Sequence, residues 1–221
     1  MQKPLNFEWA PLAINSRPFI VVTLCTLAFS GFFYVLTIKN IHADLTIGLL
    51  EMEAFSQLYT TVPNNALNRF AAKYVLSQLM GCETNLVYSP EGKPSPENSS
   101  AHLSVSHSHG LLVVALNKKE PVGVDIELLR DKVVRVQHKF LSPTEIAESA
   151  GDLERLVTFW AAKEALYKYY GLKELDFCNH LRVQLAPSFT GEIEKGVYKK
   201  RLLLGKEKIK QHILVYTLGE Y

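Results

Sequence analysis

The chain has few cysteines, and they form no CxxC pair. Cys25, Cys82 and Cys178 lie far apart in the 221 residues. Structural zinc sites and redox motifs need closely spaced cysteines, so this spacing disfavours both kinds of site. An odd number of unclustered cysteines is also typical of a reducing compartment, and we expect a cytoplasmic protein.

The sequence also lacks an excess of charge of either sign. It carries 24 basic and 22 acidic residues, for a formal net charge of +2. Binding to nucleic acid through overall charge is therefore not indicated. Recognition of an acidic partner would need a local patch, and solvated hairpin faces are the simpler explanation for the basic residues that concentrate near the C-terminus: Lys195, Lys199, Lys200, Arg201, Lys206, Lys208 and Lys210.

No charged residue occurs between Pro18 and Ile38. This run is just long enough to span a bilayer. It does not resemble a secretory signal, because Glu8 and Trp9 precede it and no small-residue cleavage site follows. The run is rich in Val, Ile, Thr, Phe and Tyr, which favour strands, so a buried strand is the competing interpretation.

The pattern of apolar residues predicts an α+β fold. We expect a strand over 34–41, helices over 49–59 and 68–80, a polar loop over 89–100, strands over 102–105, 111–116 and 122–127, a helix capped at Ser142, a helix over 153–170, and antiparallel strands over 177–221 with turns at Gly191, Gly196 and Gly205. This order is compatible with two similar α+β halves side by side, although no sequence repeat proves it.

Two carboxylates are spaced for one face of a strand in the motif GVDIE at 123–127. Residues two apart on a strand point to the same side, so Asp125 and Glu127 project together while Val124 and Ile126 face the core. Adjacent carboxylates repel unless a proton or cation lies between them, and oxygen ligands suit Mg²⁺. The alternative is an edge strand with two ordinary solvated acids.

A stripe of functional side chains is predicted in the helix that contains WAAKEALYK at 160–168. Steps of four place Trp160, Glu164 and Lys168 on one side of that helix. Glu164 would offer a third carboxylate or a base, and Lys168 a cation for a phosphate. The simpler alternative is a Glu–Lys pair that stabilises an exposed helix by a few tenths of a kcal/mol.

Hydroxyl and imidazole groups alternate at 104–110, and a Gly-Lys-Pro turn precedes them at 92–94. Such groups suit a phosphate. A zinc site built from His102, His107 and His109 is a rival interpretation, although a fourth ligand and an HExxH helix are both lacking. An ordinary polar β-turn is the third interpretation.

Taken together, in this order and spacing, the motifs resemble the 4′-phosphopantetheinyl transferase family in its larger form, a pseudo-dimer within one chain. The resemblance extends from about residue 32 to the last strands. Its most specific parts are GVDIE at 123–127 and WAAKEALYK at 160–168, with FLSPTE at 140–145 between them. NRFAAKYVL at 68–76, GKP at 92–94 and SHS at 106–108 fit the same family.

The resemblance implies a monomeric α+β pseudo-dimer with one half over 32–118 and a second half over 119–221 that carries the metal site. Residues 1–31 would form an apolar N-terminal extension without a counterpart in the family. The part of the uncharged run that precedes such a first half, 19–32, is too short to span a bilayer.

The resemblance also implies roles for individual residues. Metal ligands would be Asp125, Glu127 and Glu164, and Glu164 would also act as general base. Lys168 would lie near the pyrophosphate, and Lys163, which is next to Glu164 in the motif, would contact the cofactor in a less defined way. Contacts to the 3′-phosphate and the nucleotide of coenzyme A would come from Ser106, His107, Lys93 and Arg69, while Glu145 would lie near the metal.

The implied activity is the Mg²⁺-dependent transfer of 4′-phosphopantetheine from coenzyme A to a serine of an acyl, peptidyl or aryl carrier protein, as in a holo-[acyl-carrier-protein] synthase. The other product would be adenosine 3′,5′-bisphosphate. Carriers of fatty-acid, polyketide, peptide-synthetase and siderophore pathways all stay open.

One departure from the family is the lack of Lys and Arg over 55–65, where one phosphate contact is either missing or supplied by Lys73. Three alternative functions also stay open. These are a silent coenzyme A-binding protein, a membrane-associated interaction protein and an unrelated Mg²⁺-dependent phosphoryl-transfer enzyme.

Overall fold

A computed structural model describes residues 21–27 and 33–221 of the chain. The helices in these residues are α1 Met52–Leu58, α2 Asn64–Met80, α3 Lys132–Val136, α4 Pro143–Ser149 and α5 Leu153–Tyr170. The strands are β1 Val21–Leu27, β2 Phe33–Asn40, β3 Leu45–Glu51, β4 Leu86–Tyr88, β5 Pro94–Pro96, β6 His102–Ser108, β7 Leu111–Asn117, β8 Val124–Leu128, β9 Leu181–Gln184, β10 Thr190–Lys195, β11 Tyr198–Ile209 and β12 His212–Glu220. The predicted α+β class is confirmed.

The strands form two five-stranded antiparallel sheets and one short hairpin. The first sheet has the order β1-β2-β3-β7-β6, and the second has the order β8-β12-β11-β10-β9. Helix α2 packs on one face of the first sheet, and α5 packs on one face of the second. Each sheet is therefore covered by one long helix. That the two parts are related as a pseudo-dimer stays a prediction, as do the domain limits at residues 32 and 119.

A third apolar cluster joins the two sheets. It contains Ile47 and Val113 from the first sheet and Val124, Ile126 and Leu214 from the second. Because side chains alternate along a strand, burial of Val124 and Ile126 in this cluster directs Asp125 and Glu127 to the opposite face of β8, toward α5. The structure therefore has the orientation that the GVDIE motif predicts, with Val124 and Ile126 in the core.

Gly123 allows β8 to approach α5 closely. A Cβ atom at this position would lie 1.9 Å from the carbonyl oxygen of Ala165 and 2.8 Å from the backbone nitrogen of Tyr169. Any larger residue would force the strand away from the helix. The glycine of the motif therefore sets the distance between the strand that carries the carboxylates and the helix that carries their partners.

The predicted helix limits are confirmed where capping signals are strong. Ser142 and Glu145 form a reciprocal capping box at the start of α4. Asp152 accepts a hydrogen bond from the Arg155 backbone at the start of α5, which ends at Gly171 with a φ of +70°. Left-handed backbone of this kind favours glycine, so the end of α5 was readable from the sequence.

Other local predictions were wrong. Residues 49–51 belong to β3 rather than to a helix, because β3 pairs with both β2 and β7 and this pairing outweighs the helical spacing. The polar loop over 89–100 contains the short strand β5. Gly191 and Gly205 lie inside β10 and β11, where Leu166 and Tyr216 pack against them, and only Gly196 lies in a turn.

The uncharged N-terminal run contributes backbone to the first sheet. Strand β1 pairs with β2 from Val21 opposite Lys39 to Leu27 opposite Phe33. The strand interpretation therefore applies to the described part of the run, while residues 1–20 and 28–32 lie outside the description. Among the described residues, no helix is long and apolar enough to cross a membrane.

Candidate active site

Two residues of α5 hold the two carboxylates of β8. Lys168 Nζ donates to Asp125 Oδ1 across 2.7 Å, and Trp160 Nε1 donates to Glu127 Oε1 across 3.0 Å. Both donors belong to the stripe predicted from the spacing of four. The alternative of an ordinary exposed Glu–Lys pair does not describe this helix, because Lys168 and Trp160 are hydrogen-bonded to the carboxylates of β8.

Glu164 lies on the same stripe, one turn from each of these donors. Burial, reinforced by the negative charges of Asp125 and Glu127, raises the pKa of Glu164 to about 7. Burial is the larger cause, and the contributions of Asp125 and Glu127 indicate that both carboxylates act on Glu164 through their charge. The three acidic residues that were predicted from two separate motifs therefore face the same region between β8 and α5.

Asp125 is the most enclosed of the three carboxylates, with only 3% of its surface exposed. Burial raises its pKa to about 6, although the charge of Lys168 and the hydrogen bond from Ser106 act in the opposite direction. Its Oδ2 atom is buried and has no hydrogen-bond partner among the described residues. A buried carboxylate oxygen without a partner is costly, and a cation beside it would remove that cost.

The three carboxylates do not form a finished metal cage. Within residues 21–27 and 33–221, no group of three or more His, Cys, Asp or Glu is arranged to hold a metal ion by itself. This finding gives no support to the zinc site of His102, His107 and His109. It is compatible with Mg²⁺, which is usually bound by one or two carboxylates completed by waters and substrate phosphates.

A ladder of serines on β6 joins the two sheets beside the carboxylates. The hydroxyls of Ser104, Ser106 and Ser108 accept from the backbone N–H groups of Val124, Ile126 and Leu128, at 3.0, 3.4 and 3.3 Å. Two of these serines also donate to the acids, Ser106 to Asp125 Oδ1 at 2.6 Å and Ser108 to Glu127 Oε2 at 3.2 Å.

The role of Ser108 was missed from the sequence. The signal available there was the matching period of two in SVSHS and VDIE, although nothing local fixed the register between them.

A cleft of about 200 Å³ opens beside Lys168 and is lined by two further lysines, Lys93 and Lys173. Lys93 Nζ donates to the carbonyl of Tyr169 at the end of α5, across 3.1 Å, and burial lowers the pKa of Lys93. Three ammonium groups around one cleft suit a ligand with several phosphates. The sequence motifs predict phosphate contacts for Lys93 and Lys168, whereas Lys173 belongs to neither motif and was not predicted.

Two predicted ligand contacts do not line this cleft. His107 is exposed and alternates with Ser106 on β6, so the two side chains point to opposite faces of the strand. Arg69 is exposed and stacks over the Tyr88 ring at 4.9 Å. Tyr88 pairs with Pro94 in the hairpin that carries Lys93, so Arg69 lies near the cleft's outer side. Their contacts with coenzyme A stay predictions.

Lys163 and Glu145 form a separate buried pair. Lys163 is fully buried, and its ammonium donates to Glu145 Oε2 at 2.7 Å, to the Phe140 carbonyl at 2.7 Å and to the Phe177 carbonyl at 2.8 Å. An ammonium has three protons, so all of them are used. Glu145 also accepts from the backbone N–H groups of Ser142 and Val183. These contacts give both residues a role in holding α4 and β9 against α5.

The C-terminal basic residues are paired with acids. Each of the seven forms an ion pair: Lys195 with Glu174, Lys199 with Glu194, Lys200 with Glu220, Arg201 with Glu192, Lys206 and Lys208 with Glu154, and Lys210 with Glu51. Their charge is therefore offset locally, as expected of solvated hairpin faces.

The exposed cations Lys132, Arg135 and Lys139, in and after α3, form no ion pair with another residue in the described part of the chain. Lys132 lines a second cleft of about 210 Å³ together with Glu127, Val133, Val136 and Trp160. This cleft places unpaired positive charge next to the carboxylate site.

The C-terminal part of the chain is similar to known proteins. Residues 121–217 match the family described as the 4'-phosphopantetheinyl transferase superfamily, and this segment contains β8 and α5. Over 86 residues the chain is 30% identical to a 4'-phosphopantetheinyl transferase of Bacillus subtilis, a match that covers 36% of this chain and 38% of that relative. The C-terminal part of the chain is therefore similar to the 4′-phosphopantetheinyl transferase superfamily, which supports the resemblance noted in the sequence.

Proposed function

We propose that this chain transfers 4′-phosphopantetheine from coenzyme A to a serine of an apo-carrier protein, in a Mg²⁺-dependent reaction that releases adenosine 3′,5′-bisphosphate. The observation that carries the proposal is the convergence of Asp125, Glu127 and Glu164 beside Lys168, inside the segment that matches the family. A diphosphate substrate needs positive charge, and a serine nucleophile needs a base. This arrangement offers groups for both needs.

Asp125, Glu127 and Glu164 are the residues that would hold the metal. The unpartnered Oδ2 of Asp125 and the pKa of Glu164, which is raised by burial and by the neighbouring negative charges, both favour a cation beside these carboxylates. A Mg²⁺ ion held by these residues would supply positive charge to offset the negative charge of the diphosphate. Lys168 would share Asp125 with the metal through the opposite carboxylate oxygen, Oδ1.

Glu164 is our candidate for the base. Its pKa of about 7 lies near the pH at which a proton acceptor is most effective. The serine oxygen of the carrier would attack the β-phosphorus of coenzyme A, and its proton would pass to the Glu164 carboxylate directly or through water. The bond between that phosphorus and the bridging oxygen breaks, and the bisphosphate leaves with that oxygen.

The lysine-lined cleft would hold the nucleotide end of coenzyme A. Lys168 reaches both Asp125 and the cleft, so it would stabilise the charge that develops on the departing bisphosphate. Lys93 and Lys173 would contact the remaining phosphates. Lys93 is already partly removed from water, and this burial lowers its pKa. A phosphate beside Lys93 would favour the charged form of the lysine again.

The carrier protein would dock on the cations around α3 rather than on the C-terminal lysines. The family resemblance implies a carrier that is acidic around its serine. Lys132, Arg135 and Lys139 are exposed without an acidic partner among the described residues, whereas the C-terminal cations are paired. Lys132 also borders the cleft next to Glu127, where an incoming serine would have to arrive.

The proposal is tested by incubating the protein with coenzyme A, Mg²⁺ and a panel of apo-carriers from fatty-acid, polyketide, peptide-synthetase and siderophore systems. We expect at least one carrier to gain the mass of one phosphopantetheine group, and the gain to disappear when EDTA removes the metal. Binding of coenzyme A without any mass gain would instead support a silent coenzyme A-binding protein.

A further inference from the structure

We propose that Ser106 and Ser108 are positioning residues that aim the two strand carboxylates, and that the Ser106 hydroxyl is not a phosphate contact. Both serines lie on β6, at the edge of the first sheet, and the carboxylates lie on β8, at the edge of the second. The inference rests on the proposed function for the identity of the metal, while the hydrogen bonds themselves belong to the fold.

The hydrogen-bonding capacity of Ser106 is exhausted by protein groups. A hydroxyl has one proton and two lone pairs. Ser106 Oγ accepts from Lys168 Nζ at 2.9 Å and from the Ile126 backbone at 3.4 Å, and it donates to Asp125 Oδ1 at 2.6 Å. A phosphate oxygen only accepts, so binding it through this hydroxyl would require releasing Asp125. The structure thus assigns the proton of Ser106 to the carboxylate.

The proton of Ser108 is directed by a chain of contacts that begins at the surface. Arg130 Nη1 lies 2.9 Å from His109 Nε2, and a guanidinium only donates, so Nε2 must accept. The histidine proton therefore lies on Nδ1, which is 3.2 Å from Ser108 Oγ and donates to it. The proton of Ser108 is left to donate to Glu127 Oε2, at 3.2 Å.

These contacts fix each carboxylate in one orientation. Glu127 is held on Oε2 by Ser108 and on Oε1 by Trp160. Asp125 is held on Oδ1 by Ser106 and Lys168, which leaves Oδ2 as the oxygen without a described partner. Outer hydrogen bonds of this kind orient metal ligands, and their removal costs about 10-fold to 100-fold in metal affinity or activity.

Ser104 provides a matched control on the same strand. Its hydroxyl accepts from the Val124 backbone at 3.0 Å, as the other two serines accept from β8, but it contacts no carboxylate. Ser104→Ala therefore removes one bond of the same ladder without touching a carboxylate; because Ser104 also lines the lysine-lined cleft, it is a control for Mn²⁺ binding and not for the KM for coenzyme A. His109→Gly interrupts the series of contacts from Arg130 to Glu127 at an exposed residue. Its φ of +38° is one that glycine adopts easily.

The experiment measures Mn²⁺ binding by electron paramagnetic resonance of the free ion, for the wild type and the four variants, and then the Mg²⁺ dependence of transfer. We expect Ser106→Ala and Ser108→Ala to weaken Mn²⁺ binding about 10-fold, His109→Gly to weaken it less, and Ser104→Ala to leave it unchanged. The KM for coenzyme A at saturating Mg²⁺ should change little in Ser106→Ala, Ser108→Ala and His109→Gly.

Equal Mn²⁺ affinity in wild type and both alanine variants would overturn the inference, as would an equal loss in Ser104→Ala. A rise in the KM for coenzyme A in Ser106→Ala at saturating metal would indicate that Ser106 contacts a phosphate of coenzyme A. It would refute the proposal that this hydroxyl is not a phosphate contact. Serine-dependent Mn²⁺ binding in a protein that modifies no carrier would contradict the proposed function alone. A wild type that binds no Mn²⁺, either alone or with coenzyme A present, would refute both.

Discussion

Lys168 Nζ lies 2.7 Å from Asp125 Oδ1, and this contact joins the helix of the candidate active site to its strand. Asp125 is buried, whereas Lys168 also lines the cleft that holds Lys93 and Lys173. One side chain thus belongs to both the carboxylate cluster and the phosphate-sized cleft. The account makes Lys168 the residue on which both binding and turnover depend.

Lys168→Met keeps most of the side-chain volume and removes the charge. We expect the rate of transfer to fall about 100-fold and the protein to lose stability, because a buried carboxylate would lose its cation. Lys173→Met is the control, since Lys173 lines the same cleft but forms no ion pair with a carboxylate of the described residues. Steady-state kinetics and urea unfolding of both variants measure the difference, and equal effects would contradict the account.

Glu164→Gln should alter how stability depends on pH. The pKa of Glu164 is raised from 4.5 to about 7 in the folded protein, so the folded state binds its proton more tightly than the unfolded state does. Ionisation of this group therefore lowers the free energy of unfolding as pH rises from about 4.5 through 7. The glutamine variant lacks this loss and should exceed the wild type in stability at pH 8 in metal-free buffer.

Urea unfolding at pH 5 and pH 8, in buffers that contain EDTA, measures this effect. Asp125 contributes in the same direction, with a pKa raised from 3.8 to about 6, so the wild-type slope should shrink rather than vanish in Glu164→Gln. Parallel pH profiles of the wild type and the variant would show that the pKa of Glu164 is not raised in the folded protein, and would contradict its burial beside Asp125 and Glu127.

Gly123→Ala should separate β8 from α5. The added methyl would lie 1.9 Å from the Ala165 carbonyl, and backbone atoms on both sides prevent an easy adjustment. We expect a loss of about 3 kcal/mol in the free energy of unfolding together with a loss of transfer activity. Gly151→Ala is the control, because its φ of +72° is strained for alanine but nothing lies within 4 Å of the added atom.

For Gly151→Ala we expect a loss of about 1 kcal/mol with activity retained. Chemical denaturation and the transfer assay distinguish the two cases. A Gly123→Ala protein as stable and as active as Gly151→Ala would mean that the close approach is dispensable.

Much of the site could be predicted from local patterns. The period of two in GVDIE predicted that Asp125 and Glu127 share a face, and the buried Val124 and Ile126 are the reason that they do. The start and end of α5 followed from residues with strong capping preferences, Asp152 and Gly171. Patterns of this kind are readable because they depend on neighbours a few residues away.

Contacts between distant segments could not be predicted in the same way. The Ser108–Glu127 bond depends on the register between the edges of two different sheets, which no local spacing fixes. Lys163 and Glu164 are adjacent in the motif, yet neighbours on a helix point about 100° apart. One therefore lies buried against Glu145, while the other faces β8.

Docking of the carrier protein gives a further prediction. Lys132→Ala/Arg135→Ala should raise the KM for the carrier about 10-fold at low salt and flatten its dependence on ionic strength, because unpaired surface cations steer an acidic partner. Lys199→Ala/Lys200→Ala is matched in charge, but its lysines are paired with Glu194 and Glu220. Salt titration of the carrier KM for both double variants compares the surfaces, and a larger effect of the C-terminal pair would reverse the assignment.

The most direct test of the central claim is the single-turnover rate of phosphopantetheine transfer in Asp125→Ala, measured by carrier mass across a Mg²⁺ titration. The account predicts that the wild type modifies its carrier only when the metal is present, whereas the variant, although folded, stays inactive at every Mg²⁺ concentration. An Asp125→Ala protein that modifies the carrier at the wild-type rate would contradict the claim that these carboxylates hold the metal for transfer.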